Sequence, residues 1–321
     1  MQDLSLVVND ALASLDWEKQ PFGLYRPIAY ALSSGGKRIR PLLTLLGASL
    51  FGAEPQKAVP AAMAIEIFHN FTLLHDDVMD NASLRRGKPT VHVKWDDNTA
   101  ILSGDQMLIE AYKQLACLPD AVLPCVLRVF NRMGTEICEG QQLDVDFQSR
   151  EDVSEEEYIR MIRLKTSVLL GTALQIGAII AGADVQSQQS LYEYGINLGL
   201  AFQIQDDLLD VYGDPATFGK AIGGDILEGK KTYAYIAALR AASPSQRQEL
   251  RQLLQSRSVS GQSKIEGVTH LYSRLGVKQT CEEAVGSYTR KALANLENIP
   301  VPDDKILMLK KLAVDLLARK D

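Results

Sequence analysis

Cysteine and histidine are scarce in this chain, four of each among 321 residues. Cys117, Cys125, Cys138 and Cys281 show no C-x-x-C spacing. That argues against a disulfide framework or a zinc site and fits reduced, buried thiols in a cytoplasmic protein. A basic excess is lacking too. Lys and Arg number 34 against 40 Asp and Glu, a net charge of −6, so no nucleic-acid-binding face is expected. The N-terminal "MQDLSLVVNDALASLDWEKQ" has no basic flank leading into an apolar core, and no signal peptide is expected there. One run lacks charge altogether: the 18 residues 166–183 meet the length rule for a membrane span. Gln175, three glycines and two threonines dilute it, and it reads as a helix buried in a large helical core.

Period-2 alternation is also nearly absent; what the chain has is apolar spacing of three to four residues. With 46% hydrophobic residues, this predicts one large all-α domain over residues 1–321. "VPAAMAIEIFHNFTLLHDDVMD" opens with Pro60 near a helix start. Ser154 and Glu157 have capping-box spacing. "SQQSLYEYGINLGLAFQIQDDLLD" is a long helix stopped by Gly213 and Pro215. Further helices are expected near 41–50, 98–118, 121–141, 231–241, 245–256, 264–275, 278–295 and 303–319. The polar "SRSVSGQSK" reads as a surface loop.

Two acidic clusters end long apolar helices: Asp76, Asp77 and Asp80 in "LLHDDVMD", and Asp206, Asp207 and Asp210 in "IQDDLLD". On a helix the first and last of each trio share a face and the middle one borders it. At about 5–6 Å and an effective dielectric near 20, each like-charged pair costs on the order of 3 kcal/mol. A divalent cation reverses that sign. Oxygen donors without a histidine–cysteine set suit a hard ion, magnesium above all. One D-D-x-x-D alone marks no more than a solvated helix end. Two of them, each followed by a loop rich in Gly, Lys or Arg, point to a diphosphate whose charge is shared by metals and cations. The loops offer Lys37, Arg38 and Arg40 in "GGKRIRP", Arg85 and Arg86 in "LRRGKP", and Lys220, Lys230 and Lys231 in "GKAIGGDILEGKK".

Two near-matches fail. "GDILEGKKT" has Lys231 where a P-loop needs Ser or Thr, and no strand precedes it. "HDD" at His75 lacks the further histidines of a metal phosphohydrolase. By wheel position His75 faces away from Asp76 and Asp80, whereas His69, seven residues before Asp76, shares its face.

Taken in order, "GGKRIRP", "LLHDDVMDNASLRRGKPTVH", "GQQLD", Lys165-Thr166, "FQIQDDLLD" and "GKAIGGDILEGKKT" resemble the motifs of the trans-type isoprenyl diphosphate synthases. The resemblance runs from about residue 30 to 235. It implies the isoprenoid synthase fold, an all-α bundle around a central cavity with the two aspartate motifs facing each other across its mouth, and a homodimer. It also implies that the six aspartates hold magnesium, that Arg85, Lys165, Lys220 and Lys230 bind an allylic diphosphate, and that Lys37, Arg40, His69 and Arg86 hold isopentenyl diphosphate. Thr166, Gln203, Gln141 and Asp144 match family positions near the reacting carbons or the metals.

In such a family the residue five before the first aspartate limits product length, and here it is Phe71. With Thr72 small and Phe68 a further turn down, the resemblance implies a tail of 15 to 20 carbons. The chain lacks the two extra residues that bacterial farnesyl synthases carry in the first motif, and Thr72 breaks the paired aromatics of the eukaryotic farnesyl type. The expectation is geranylgeranyl diphosphate, with farnesyl diphosphate the alternative. A terpene cyclase would mix Asn, Ser/Thr and Glu in its second motif, and a head-to-head synthase would carry D-x-x-x-D; "DDLLD" fits neither. A non-catalytic partner subunit would usually have lost an aspartate motif or the basic residues, and both are intact here.

Overall fold

The computed structural model describes residues 2–213, 222–255, 260–297 and 299–317. Its helices are, in order, α1 (Gln2–Ala13), α2 (Phe22–Leu32), α3 (Ile39–Leu50), α4 (Val59–Met79), α5 (Val91–Lys94), α6 (Asp97–Leu115) and α7 (Leu123–Gln148). After them come α8 (Glu155–Ile162), α9 (Val168–Ile180), α10 (Val185–Tyr212), α11 (Gly224–Glu228) and α12 (Tyr233–Ala241). The chain closes with α13 (Pro244–Gln255), α14 (Gly261–Arg274), α15 (Val277–Asn295) and α16 (Asp303–Leu317). Two compact units share these elements, one of residues 1–132 and 172–192, the other of 133–171 and 193–321.

In the first unit α4 is the central helix. Pro60 sits in its first turn, where no amide donor is required. Residues 61–70 are buried on all sides, which an almost wholly apolar stretch permits. Beyond Asn70 the burial becomes partial, and this brings the aspartates at its C-terminal end toward solvent. Helices α2, α3 and α6 pack against α4. α6 approaches closely because Gly104 lies under the His75 ring, where a Cβ would collide with the imidazole. α3 meets α9 just as closely, with Gly47 against the carbonyl of Leu174 and Gly177 against that of Thr44.

In the second unit α8 opens with the expected capping box between Ser154 and Glu157. The helix then widens into a π turn over residues 163–167 before continuing as α9. α10 lies against this run, with Gly195 on Gly171 and Gly199 on Ser167. The charge-poor run is therefore an interior helix: 155–180 is long and apolar enough to cross a membrane, yet 83% of its apolar window is buried. α10 ends at Tyr212, immediately before Gly213; Pro215 lies outside the described residues.

Three expectations change. Cys117, Cys125 and Cys138 are exposed and Cys281 is buried, so the thiols are free but mostly not interior. A small apolar side chain tolerates solvent at little cost, and Cys125 and Cys138 take open positions on α7. The loop after the first aspartates contains a short antiparallel hairpin, β1 (Leu84–Arg85) with β2 (Lys88–Pro89). Its turn holds Arg86 and Gly87 at φ 51° and 75°, backbone that glycine adopts freely and arginine rarely. Part of the presumed "SRSVSGQSK" loop is helical, because Ser260 caps α14 by accepting from the Ser263 amide.

Candidate active site

The first unit gathers the two basic loops around one buried imidazole. His69, 8% exposed, is held well below its ordinary pKa by burial and by Arg40, Arg86, Arg85 and Arg38 around it. A neutral histidine ringed by guanidinium groups marks a region of positive potential. Part of that charge is already countered. Arg38 turns inward to the buried carboxylate of Glu66 and to the Leu32 carbonyl. Arg85 forks both oxygens of Asp77, its Nε 2.8 Å from each. Arg40 stands differently: its Nε is buried with no hydrogen-bond partner, and burial lowers its pKa to about 10. Arg86 reaches the Gly35 carbonyl, which joins the two basic loops. Lys37 is exposed beside them. Asp77 is 5% exposed, Asp76 partly so, and Asp80 open at the helix end.

Phe71 is half-buried on the same helix. Its ring packs edge-on against Phe68 at 5.4 Å and His75 at 4.8 Å. Phe68 in turn meets Phe130 at 5.2 Å, extending the aromatic cluster. His75 takes the position away from the aspartate face that the wheel predicted, with its Nε2 3.1 Å from the carbonyl of Ile101.

The second unit holds a pocket of about 330 Å³ lined by Asp206, Asp207, Asp210, Lys165, Thr166, Gln203 and Lys230. Seven residues chosen from the sequence thus meet in one cavity, with Asp144 joining them through a 2.5 Å ion pair to Lys165. Lys165 and Thr166 fall within the π turn, an irregularity frequently found at functional sites. The Thr166 hydroxyl donates to the Gln203 carbonyl oxygen at 3.3 Å. The Gln203 amide donates to Asp207 at 3.2 Å. Asp207 also accepts from the Tyr158 hydroxyl and, at 2.8 Å, from the Tyr233 amide. Even so, burial together with Asp225 pushes its carboxyl up to about 7. Asp210 accepts from the Asp225 amide at 3.1 Å. Lys230 pairs with Glu228 at 2.8 Å. Gln141 has both polar atoms of its buried amide without partners. Lys220 lies outside the described residues.

Tyr158, Asp225 and Glu228 line the same pocket and were not assigned roles from the sequence, whereas Lys231, one of the loop cations read from it, lines the pocket too. Tyr158 had no signal, since it lies on a helix five residues past "EDV" with nothing periodic to mark it. Asp225 and Glu228 lie within a loop whose sequence is dominated by its lysines and glycines. Glu66 was hidden in an apolar run, although a lone carboxylate there is itself a sign of a buried partner.

The donor set suits a hard divalent ion. Carboxylates Asp144, Asp206, Asp207, Asp210, Asp225 and Glu228 line the second-unit pocket with Lys165, Lys230 and Lys231, and neither histidine nor thiol is among them. Among the described residues no three acidic, histidine or cysteine side chains are arranged to hold a metal as they stand. Of the six aspartates, three are tied to protein donors instead: Asp77 to Arg85, Asp207 to Tyr158, Gln203 and the Tyr233 amide, and Asp210 to the Asp225 amide.

The chain matches known proteins along most of its length. The family model described as Polyprenyl synthetase matches residues 22–272. A geranylgeranyl pyrophosphate synthase from Geoglobus acetivorans is 45% identical over 241 residues, 74% of this chain and 75% of that protein. A crystal structure of a geranylgeranyl pyrophosphate synthase superposes with TM-score 0.95 at 47% identity, covering 100% of this chain and 99% of the other. One from Corynebacterium glutamicum, complexed with isoprenyl diphosphate and magnesium, has TM-score 0.86 and 29% identity over 99% of this chain and 98% of its own.

Proposed function

This chain belongs to the polyprenyl synthetase family, and from that membership we propose that it is a trans-prenyltransferase making geranylgeranyl diphosphate from isopentenyl diphosphate and an allylic diphosphate. The observation that carries the reading is the second-unit pocket, where lysines and an oxygen-only acidic set meet around Thr166 and Gln203. An allylic diphosphate entering it finds Lys165 and Lys230 for its charge. Magnesium is the proposed ion, with Asp206, Asp207 and Asp210 there and Asp76, Asp77 and Asp80 in the first unit as its ligands. When bound, it would add positive charge against the leaving diphosphate.

The residues divide the remaining work. Lys165 and Lys230 stabilise negative charge that grows as the allylic C–O bond ionises. The Thr166 hydroxyl, having donated its proton to Gln203, turns lone pairs toward the allylic carbocation. Met161 and Ile162 supply apolar wall that keeps water from the cation. Isopentenyl diphosphate belongs to the Arg40, Arg86, Lys37 and His69 cluster, where Arg40 lacks a protein partner for its Nε. Its double bond attacks the allylic cation, and loss of a proton to the released diphosphate completes a five-carbon extension.

The Phe71–Phe68–Phe130 cluster is the proposed floor for the growing tail, at a length of C20. A homodimer belongs to the same proposal: Ile101, Leu102, Ile109 and Tyr112 are exposed large apolar side chains within one stripe of α6. So does a cytoplasmic location, where the three exposed free thiols stay reduced.

The test is a product assay with labelled isopentenyl diphosphate, magnesium and dimethylallyl, geranyl or farnesyl diphosphate in turn. A C20 alcohol after dephosphorylation is expected from each primer. Termination at C15 would move the floor nearer the aspartates. No incorporation from folded protein would overturn the catalytic reading.

A further inference from the structure

Arg38 is the basic residue of "GGKRIRP" whose side chain is tied to Glu66 and the Leu32 carbonyl. Its backbone is left-handed, at φ 48° and ψ 37°, a conformation unusual for a non-glycine residue. The side chain enters the protein, where one guanidinium nitrogen meets Glu66 and another the Leu32 carbonyl. Glu66 is 2% exposed, and its Oε1 also accepts from the Asn70 amide at 2.8 Å. Asn70 is fixed in turn by a 2.8 Å bond to the Glu66 carbonyl. Two residues beyond Arg38 in the chain is Arg40, whose buried Nε has no partner. Ahead of Lys37, which precedes Arg38, are Gly35, whose carbonyl accepts from Arg86, and Gly36, over which the Arg86 guanidinium lies.

We propose that Glu66 is a positioning residue for the isopentenyl diphosphate site: by holding Arg38 inward it sets the loop that presents Lys37, Arg40 and Arg86 to the diphosphate. Arg38 is then a strut and makes no contact with substrate. The inference rests on the assignment of that arginine cluster to isopentenyl diphosphate.

Electrostatics and geometry make opposite predictions for one substitution. Glu66 is a negative charge acting on both Arg40 and Arg86. If charge were its whole contribution, Glu66→Gln would leave the cluster more positive and tighten anion binding. If it is a strut, the same change strands Arg38 as a buried unpaired charge. The loop then moves and binding weakens.

The experiment compares wild type, Glu66→Gln, Arg38→Met and the double variant, with circular dichroism confirming the fold of each. Isothermal titration with inorganic pyrophosphate, in chelator and without metal, reads the site apart from turnover. Glu66→Gln is expected to weaken pyrophosphate binding about tenfold or more. Steady-state kinetics should show KM for isopentenyl diphosphate rising by a similar factor, with kcat and the KM of the allylic substrate little changed. A general loss of structure would not produce that split. Arg38→Met should resemble Glu66→Gln, and the double variant should be no worse than either. Tighter pyrophosphate binding in Glu66→Gln would overturn the proposal, as would multiplying effects in the double variant, which would make Arg38 a ligand. Failure of the functional reading looks different: wild type would bind pyrophosphate at the cluster, with the same mutational pattern, and transfer no prenyl group.

Discussion

His69 shows how a single side chain reports its surroundings. The ordinary imidazole value is 6.5, and burial with Arg40, Arg86, Arg85 and Arg38 depresses it in the folded protein. Between the folded and unfolded values the unfolded chain binds the extra proton, so stability falls as pH drops below about 6.5. The slope contributed is up to about 1.4 kcal/mol per pH unit. His69→Gln should flatten that part of the profile, as measured by urea unfolding at pH 5.5 and 7.5; an unchanged slope would contradict a buried neutral imidazole. Tyr158 is a second case. Tyr158→Phe removes one donor from buried Asp207 and should cost about 1–3 kcal/mol, measured by denaturation in chelator. Residue type and order sufficed to choose most of the second-unit pocket, because acidic and basic clusters are visible in a linear string. Tyr158 and Glu66 were not visible, because their meaning lies in partners 49 and 28 positions away.

At the scale of elements, legibility followed local chemistry. Pro60 and the Ser154–Glu157 box marked helix starts correctly because caps act within one turn. The widened turn at residues 163–167 left no such mark. A π turn is a response to packing, and here Gly140 and Gly199 bring α7 and α10 against it. Close crossings should be correspondingly intolerant. Gly177→Val would drive a side chain into the Thr44 carbonyl, and thermal unfolding should show a loss of roughly 1–3 kcal/mol or more. On α4, Phe71→Ala removes one ring of the aromatic cluster. Product analysis should then show longer prenyl chains, and an unchanged distribution would remove Phe71 as the floor.

For the molecule as a whole, composition indicated an all-helical chain and its motifs indicated the family, but neither showed how the chain is divided. The two units take alternating stretches of sequence, 1–132 and 172–192 for one, 133–171 and 193–321 for the other. Synthesis runs in one direction, and the order of these stretches gives it a schedule. A nascent chain stopped after residue 132 has α3 complete but lacks Leu174 and Gly177, the residues that cover Gly47 and Thr44. Its apolar face stays open while the next sixty residues are added. Protection of α3 from protease in ribosome-bound chains should therefore appear in a step once residue 192 has cleared the exit tunnel. The second unit, which takes residues 193–321 as well, is completed later than the first.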